Sequence, residues 1–298
     1  MRIDQLLDGS TEPQFSFEFF PPKSEEGDRN LLEAVEQLVP LEPAFISVTY
    51  GAGGSTREKT IQIVARIRNE FGIEAMPHFT CVDSTVAELR ATLDEMAELG
   101  IENVLALRGD PPKGENEWTQ TEGGLEYSRE LVEMISSEYP FAIGAAAFPE
   151  THIDAISAEA DLGFLKEKVD AGADFLVTQL FFDNEAYFDF VLRAREIGIT
   201  VPIIPGIMPI SNVAQLERMT TLCGATIPPE LLAALEARSD EGRAVEALGV
   251  AYATLQCAEL LAGGAPGIHF YTLNRSPATQ AILGALKLQR PWLSQELR

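Results

Sequence analysis

The chain has 298 residues, 46% of them hydrophobic, enough to bury a large core as one barrel or as two ordinary domains. Its 46 acidic against 22 basic residues give a net charge of −24, which opposes nucleic acid and anionic membranes but not a small anionic ligand held in a cleft. The absence of any run of ~18 apolar residues argues against a membrane span, and the start Met1-Arg2-Ile3-Asp4-Gln5 lacks a secretory pattern, so a cytoplasmic protein is expected.

The first apolar run, 15–20, reads Phe-Ser-Phe-Glu-Phe-Phe and stops at Pro21-Pro22. It predicts a buried strand opening into a rigid turn. Glu18 inside it is expected to lose hydration, to rise in pKa and to serve as a neutral acid; a carboxylate satisfied by backbone amides is the alternative. Further strands are predicted at 45–50, 75–80, 104–107, 142–148, 175–182, 201–207 and 268–273. Helices are expected between them near 29–39, 57–71, 86–99, 124–137, 158–171, 185–197, 212–223 and 277–287, with extra helices at 229–238 and 242–261 before the last strand. Ser55-Thr56 and Ser84-Thr85 read as caps, and Gly72, Gly100, Gly172 and Gly198 as stops.

Eight strand-then-helix units predict an α/β fold, a (β/α)8 TIM-type barrel, with residues 1–298 as a single domain. The competing doubly wound sheet needs a GxGxxG turn after a strand, and none occurs. Residues 111–122, rich in Pro, Gly and acid, read as a long loop on the functional face. Cys81, Cys223 and Cys257 read as buried thiols, and His78, His152 and His269 lack the spacing of a metal site.

Polar residues end nearly every predicted strand: Glu18, Thr49-Tyr50, His78 with Thr80, Arg108 with Asp110, Glu150 with His152, Gln179 with Asp183, and Tyr271 with Asn274-Arg275. In a barrel they converge on one rim. Each has a structural reading too: His78 as a strand cap, Arg108 and Asp110 as a mutual pair, Gln179 as a partner for the backbone.

At these residues the chain resembles methylenetetrahydrofolate reductase. The resemblance is carried by the run 15–22, by Ser47-Val48-Thr49-Tyr50-Gly51, Pro77-His78-Phe79-Thr80-Cys81, Leu107-Arg108-Gly109-Asp110 and Pro149-Glu150-Thr151-His152. It continues through Thr178-Gln179-Leu180-Phe181-Phe182-Asp183, Ile204-Pro205-Gly206-Ile207-Met208-Pro209 and His269-Phe270-Tyr271-Thr272-Leu273-Asn274-Arg275.

The resemblance implies a flavoprotein that binds FAD on the barrel rim and reduces 5,10-methylenetetrahydrofolate with NADH or NADPH in ping-pong fashion. It implies Glu18 as the general acid that opens the folate ring, Asp110 as the charge that stabilises the cation so formed, and Gln179 as the amide that orients folate and nicotinamide. It implies flavin contacts at Thr49, Tyr50, Ala52, His78, Arg108, Gly109, Asp110, Tyr127, Ser128, Phe148, His152, Asp161 and Lys168. Substrate contacts are implied at Gln179, Gln215, Met219 and Arg275, and a homo-oligomer as the assembly.

Phe148 stands where some relatives have Tyr, Phe164 and Glu167 where a bacterial branch has polar and basic residues, and Met219 where that branch has Phe. A related flavin barrel with another one-carbon substrate, and a non-catalytic folate- or flavin-binding subunit, are the alternatives.

Overall fold

In a computed structural model the described residues are 1–50, 56–111 and 118–295. Helix α1 (Ile3–Asp8) precedes β1 (Gln14–Phe19), α2 (Glu25–Leu38), β2 (Phe45–Val48), α3 (Arg57–Phe71), β3 (Ala75–Thr80) and α4 (Val86–Glu98). Then come β4 (Asn103–Leu107), α5 (Ser128–Glu138), β5 (Ala142–Ala147), α6 (Ala158–Asp170), β6 (Phe175–Thr178) and α7 (Asn184–Glu196). The chain finishes with β7 (Ile203–Ile204), β8 (Gly206–Ile207), α8 (Val213–Cys223), α9 (Pro229–Glu236), α10 (Gly242–Ala262), β9 (Gly267–Tyr271) and α11 (Pro277–Gln289).

All strand pairs are parallel, in the order β7-β6-β5-β4-β3-β2-β1-β9-β8. The single strand predicted at 201–207 is two, because Pro205 offers no N–H to the ladder. Ile204 and its neighbour pair with β6, whereas Gly206 and Ile207 pair with β9. Across the break His269 N–H donates to Pro205 O at 2.9 Å. The two halves therefore occupy one position, and the sheet is an eight-position α/β barrel of TIM type.

Side-chain parity sorts the barrel into layers. Phe15, Phe17 and Phe19 face outward and pack with Leu31 and Val35 of α2. Their alternates, Ser16 and Glu18, face inward, as do Phe45, Ser47, Met76, His78, His269 and Tyr271. The apolar character of the 15–20 run thus belongs to the helix-covered face, and the inner face is polar. The floor is a separate apolar plug of Phe45, Met76, Leu105, Phe175 and Ile204, closed from below by Ile3 of α1. Helix α1 was not expected; six residues are too few to show a period.

Local signals worked where they have a mechanism. Thr85 forms a capping box with Glu88 at the start of α4. Gly72 ends α3 with φ of 68°, in the left-handed region. Helix α10 is long and apolar enough by composition to cross a membrane, although Val245, Gly249, Ala253, Cys257 and Leu260 are buried within the fold. Cys81 and Cys257 are buried thiols as expected, whereas Cys223 is only half-buried at the mouth of the cavity described next.

Candidate active site

A cavity of about 1260 Å³ opens where the strand C-terminal ends meet. Of the residues singled out from the sequence, Glu18, Thr49, Tyr50, His78, Arg108, Gly109, Asp110, Tyr127 and Ser128 line it. So do Phe148, His152, Asp161, Lys168, Gln179 and Met219. Ala52 lies outside the described residues. Gln215 and Arg275 do not line the cavity: Gln215 sits in the first turn of α8, where Ser211 Oγ donates to its Oε1 at 3.2 Å. Arg275 is exposed on the turn after β9. Glu150 and Asp183 turn out to hold backbone instead. Glu150 accepts from Thr226 N–H at 3.1 Å, and Asp183 caps α7 by accepting from Glu185 N–H at 3.0 Å.

Glu18 is at the centre, its side chain 16% exposed. Burial pushes its carboxyl up as the sequence implied, but His78 and His269 outweigh burial and bring it down to about 2. The expectation of a neutral acid is thereby corrected for the ligand-free protein. The reason is non-local, since the imidazoles arrive on β3 and β9 and are invisible from the 15–22 run. His78 Nε2 lies 3.0 Å from Glu18 Oε2, close enough for charge but without hydrogen-bond geometry, so that nitrogen is buried with no hydrogen-bond partner among the described residues.

The neighbours differ from the pairing envisaged from sequence. Arg108 approaches Asp154 (Nη2 to Oδ2, 3.5 Å) rather than Asp110, and its guanidinium lies over the Trp118 ring at 5.5 Å. Gln179 Oε1 accepts from Leu180 N–H at 2.8 Å, so its acceptor is already engaged locally. Phe148 meets His152 edge-on at 4.6 Å, which fixes the ring without a hydroxyl. Phe164 is exposed on the cavity wall, and Glu167 beside it pairs with Arg129 at 3.4 Å.

The far wall is built by α6, whose start is capped by Ser157. Asp161 in its first turn accepts from His152 N–H at 2.9 Å. Lys168, two turns further on along the same helix, donates to Ala146 O at 2.7 Å. Burial lowers the Lys168 ammonium to about 8, and Asp161 offsets only part of this. Gly109 has φ of 90°, and a Cβ there would fall 2.6 Å from Val82 Cγ1, so only glycine lets the backbone lie this close to the cavity wall.

Sequence reasoning left Trp118, Thr80 and Tyr271 without ligand roles, yet all three line the cavity. Thr80 and Tyr271 were legible as strand-end polar residues; Trp118 carried no signal beyond standing in a loop. The cavity is also unfinished in hydrogen bonding. Tyr50 OH, His78 Nε2, Thr80 Oγ1 and Trp118 Nε1 are buried with no hydrogen-bond partner among the described residues. Buried polar groups are rarely left so. Three of the four, at Tyr50, Thr80 and Trp118, also lack the ionic contact that His78 makes with Glu18, and with the Lys168 and Arg108 cations they suit a heteroatom-rich anionic ligand. Among the described residues no group of three or more His, Cys, Asp or Glu is placed to hold a metal ion.

Comparison with known proteins agrees with this geometry. The family model described as Methylenetetrahydrofolate reductase matches residues 2–287. The chain is 46% identical over 299 residues to Methylenetetrahydrofolate reductase (NADH) 1 of Arabidopsis thaliana, covering 96% of this chain and 50% of that protein. It is 39% identical over 278 residues to the 5,10-methylenetetrahydrofolate reductase of Escherichia coli, covering 93% and 92%. The chain thus spans about half the length of the plant relatives and nearly all of the bacterial one. In fold it is similar to a Clostridium thermocellum protein solved with two copies of 5-methyl-5,6,7,8-tetrahydrofolic acid, at TM-score 0.60 and 17% identity over 97% of this chain and 99% of that one. With a family match over almost its whole length and a bacterial relative matched over 92% of its own, the chain belongs to the methylenetetrahydrofolate reductase family.

Proposed function

We propose that the protein reduces 5,10-methylenetetrahydrofolate to 5-methyltetrahydrofolate with NADH or NADPH, using FAD bound in the rim cavity. The observation that carries this reading is the set of buried polar atoms at Tyr50, Thr80 and Trp118 with no hydrogen-bond partner among the described residues, facing a cavity that also holds a buried carboxylate. Bound FAD would supply the two-electron carrier between nicotinamide and folate.

The chain's own residues do the rest. Arg108 and Lys168 offer cations for the phosphates, and Gly109 allows the backbone to approach. Tyr127, Ser128, His152 and Asp161 extend that wall, and Thr49 lines the same cavity, where it would meet flavin and nicotinamide. Glu18 delivers a proton to the departing folate nitrogen. Its carboxyl is ionised in the ligand-free chain, so it must take up that proton when ligands replace water in the cavity. Asp110 places negative charge where the folate cation develops. Gln179 positions both substrates through its free amide hydrogens, Met219 packs on them, and Gln215 and Arg275, outside the cavity, reach only an extended folate tail.

Purified protein should be yellow with stoichiometric FAD and should bleach when NADH or NADPH is added without oxygen. Colour should return on adding methylenetetrahydrofolate. A colourless chain that takes up no flavin sinks the proposal. Flavin reduction by nicotinamide without reoxidation by the folate favours the related barrel acting on a different substrate.

A further inference from the structure

Behind Glu18, one layer deeper in the barrel, a second imidazole is fully buried. His269 has 0% exposure, stacks on Phe45 at 5.8 Å and meets Tyr271 edge-on at 5.5 Å. It does not line the cavity. Its Nδ1 lies 2.8 Å from Ser16 Oγ. Its Nε2 lies 3.4 Å from Glu18 Oε2 and 3.3 Å from Ser47 Oγ, and Ser47 Oγ also donates to Glu18 Oε2 at 3.4 Å. Strand register fixes this row, since Ser16 pairs with His269 and Glu18 with Ser47.

We propose that His269 is a positioning residue that acts through Glu18, with Ser16 holding its ring so that Nε2 carries a proton aimed at the Glu18 carboxylate. The inference rests on the reading of Glu18 as the proton donor. Hydrogen-bond accounting leads to it. Ser16 Oγ can donate to Nδ1, whereas a carboxylate can only accept. A ring with its proton on Nδ1 alone would turn a bare lone pair toward Glu18 Oε2 inside the barrel core. In either charge state of the ring, therefore, Nε2 is the protonated nitrogen.

The arrangement has a consequence for catalysis. His78, His269 and Ser47 all meet the same oxygen, Oε2; among the described residues no hydrogen bond falls on Oε1. One oxygen is anchored and the other is left to hand the proton to substrate. After transfer, the Nε2–H stabilises the carboxylate that remains, and no net bond is made or broken on His269. The titratable groups that face Glu18 are His78 from β3 and His269 and Tyr271 from β9; β2 contributes only the neutral Ser47. Of these, only His269 is tied from behind by a second side chain.

The test has two arms. Long-range 1H–15N spectra of the flavin-free chain should show the His269 ring protonated at Nε2; with three histidines in the sequence, the ring is assigned by its loss in His269→Phe or by elimination with His78→Asn and His152→Asn. In the second arm the folate half-reaction is followed against pH, with the nicotinamide half-reaction as reference. Removing a donor to the carboxylate raises its proton affinity, so in His269→Phe the pH above which the folate half-reaction fails should move up by about one unit. His269→Gln, which keeps an N–H near Nε2, should restore most of the wild-type profile. Ser16→Ala should move the limb in the same direction by less, and serves alone if His269→Phe does not fold. A ring bare at Nε2, or a limb that stays in place in every folded variant, overturns the inference. Failure of the wild-type folate half-reaction overturns the functional reading instead, and the flavin-free spectra still judge the ring.

Discussion

At the floor of the barrel, Asn103 Oδ1 accepts from Ile3 N–H at 2.7 Å, and its Nδ2 donates to Met1 O at 3.0 Å and Glu74 Oε1 at 3.1 Å. At the rim, Tyr50, Thr80 and Trp118 each bury a polar atom with no hydrogen-bond partner among the described residues. The floor residue is bonded to the protein at every polar side-chain atom, whereas these rim atoms are not. A separation of stability from function along the barrel axis, as is general for this architecture, is what the proposed function predicts from that difference.

The sharpest way to break the comparison is at Glu18. Glu18→Gln should lower the folate half-reaction by about 10²–10⁴-fold, the range for loss of a general acid, while flavin reduction by nicotinamide persists. Stopped-flow measurement of each half-reaction decides it; equal losses in both would show that Glu18 shapes the site rather than donating a proton. The floor gives the opposite expectation. Asn103→Leu strands the Ile3 N–H and removes a partner of Glu74, and should cost about 2–3 kcal/mol in urea unfolding. Flavin affinity should stay as in the wild type. A floor variant that loses flavin at full stability would erase the division between the two ends.

How far the sequence revealed these two ends follows from how far apart the interacting residues lie. Strand and helix positions were legible because each rests on a local period, and α3 lies at the predicted 57–71. The break at Pro205 is a backbone effect that the Pro-Gly pair announces but the apolar run conceals. The rim was legible as a set, because polar residues that end apolar strands have few other uses. The charge state of Glu18 was not. Its apolar neighbours Phe17 and Phe19 point away from it, and the groups that set its ionisation come from strands β3 and β9. His269 looked like one more residue of the last strand until the register placed it against Ser16.

Lys168 sharpens the comparison from the side of stability. It is buried at the rim with its ammonium held near 8, down from 10.5, mainly by loss of hydration. Below pH 8 the folded chain carries a buried charge that the unfolded chain carries in water. Between 8 and 10.5 the folded chain sheds the proton first, so stability rises with pH across that window. Lys168→Met should therefore stabilise the flavin-free chain at pH 7 by about 1–2 kcal/mol, with the gap closing above pH 10.5. The same variant should weaken FAD binding. Thermal unfolding with and without FAD checks both signs, and destabilisation at pH 7 would assign Lys168 to the scaffold.

Thr80 offers the smallest and most specific test. Its hydroxyl is buried with no hydrogen-bond partner among the described residues, and its Cβ would stand 3.0 Å from a Cβ placed on Gly109, so it sits against the closest part of the backbone wall. Valine fills the same volume without the hydroxyl. If that hydroxyl is reserved for a ligand, Thr80→Val removes an unmet polar group from the flavin-free protein and should stabilise it by up to about 1 kcal/mol. The same change deprives bound flavin of one hydrogen bond and should weaken it several-fold, so FAD would protect the variant less than the wild type. Opposite shifts in the two states are what a rim group held for a ligand must give. A loss of stability in the flavin-free chain would place Thr80 with Asn103, among the residues that serve the fold.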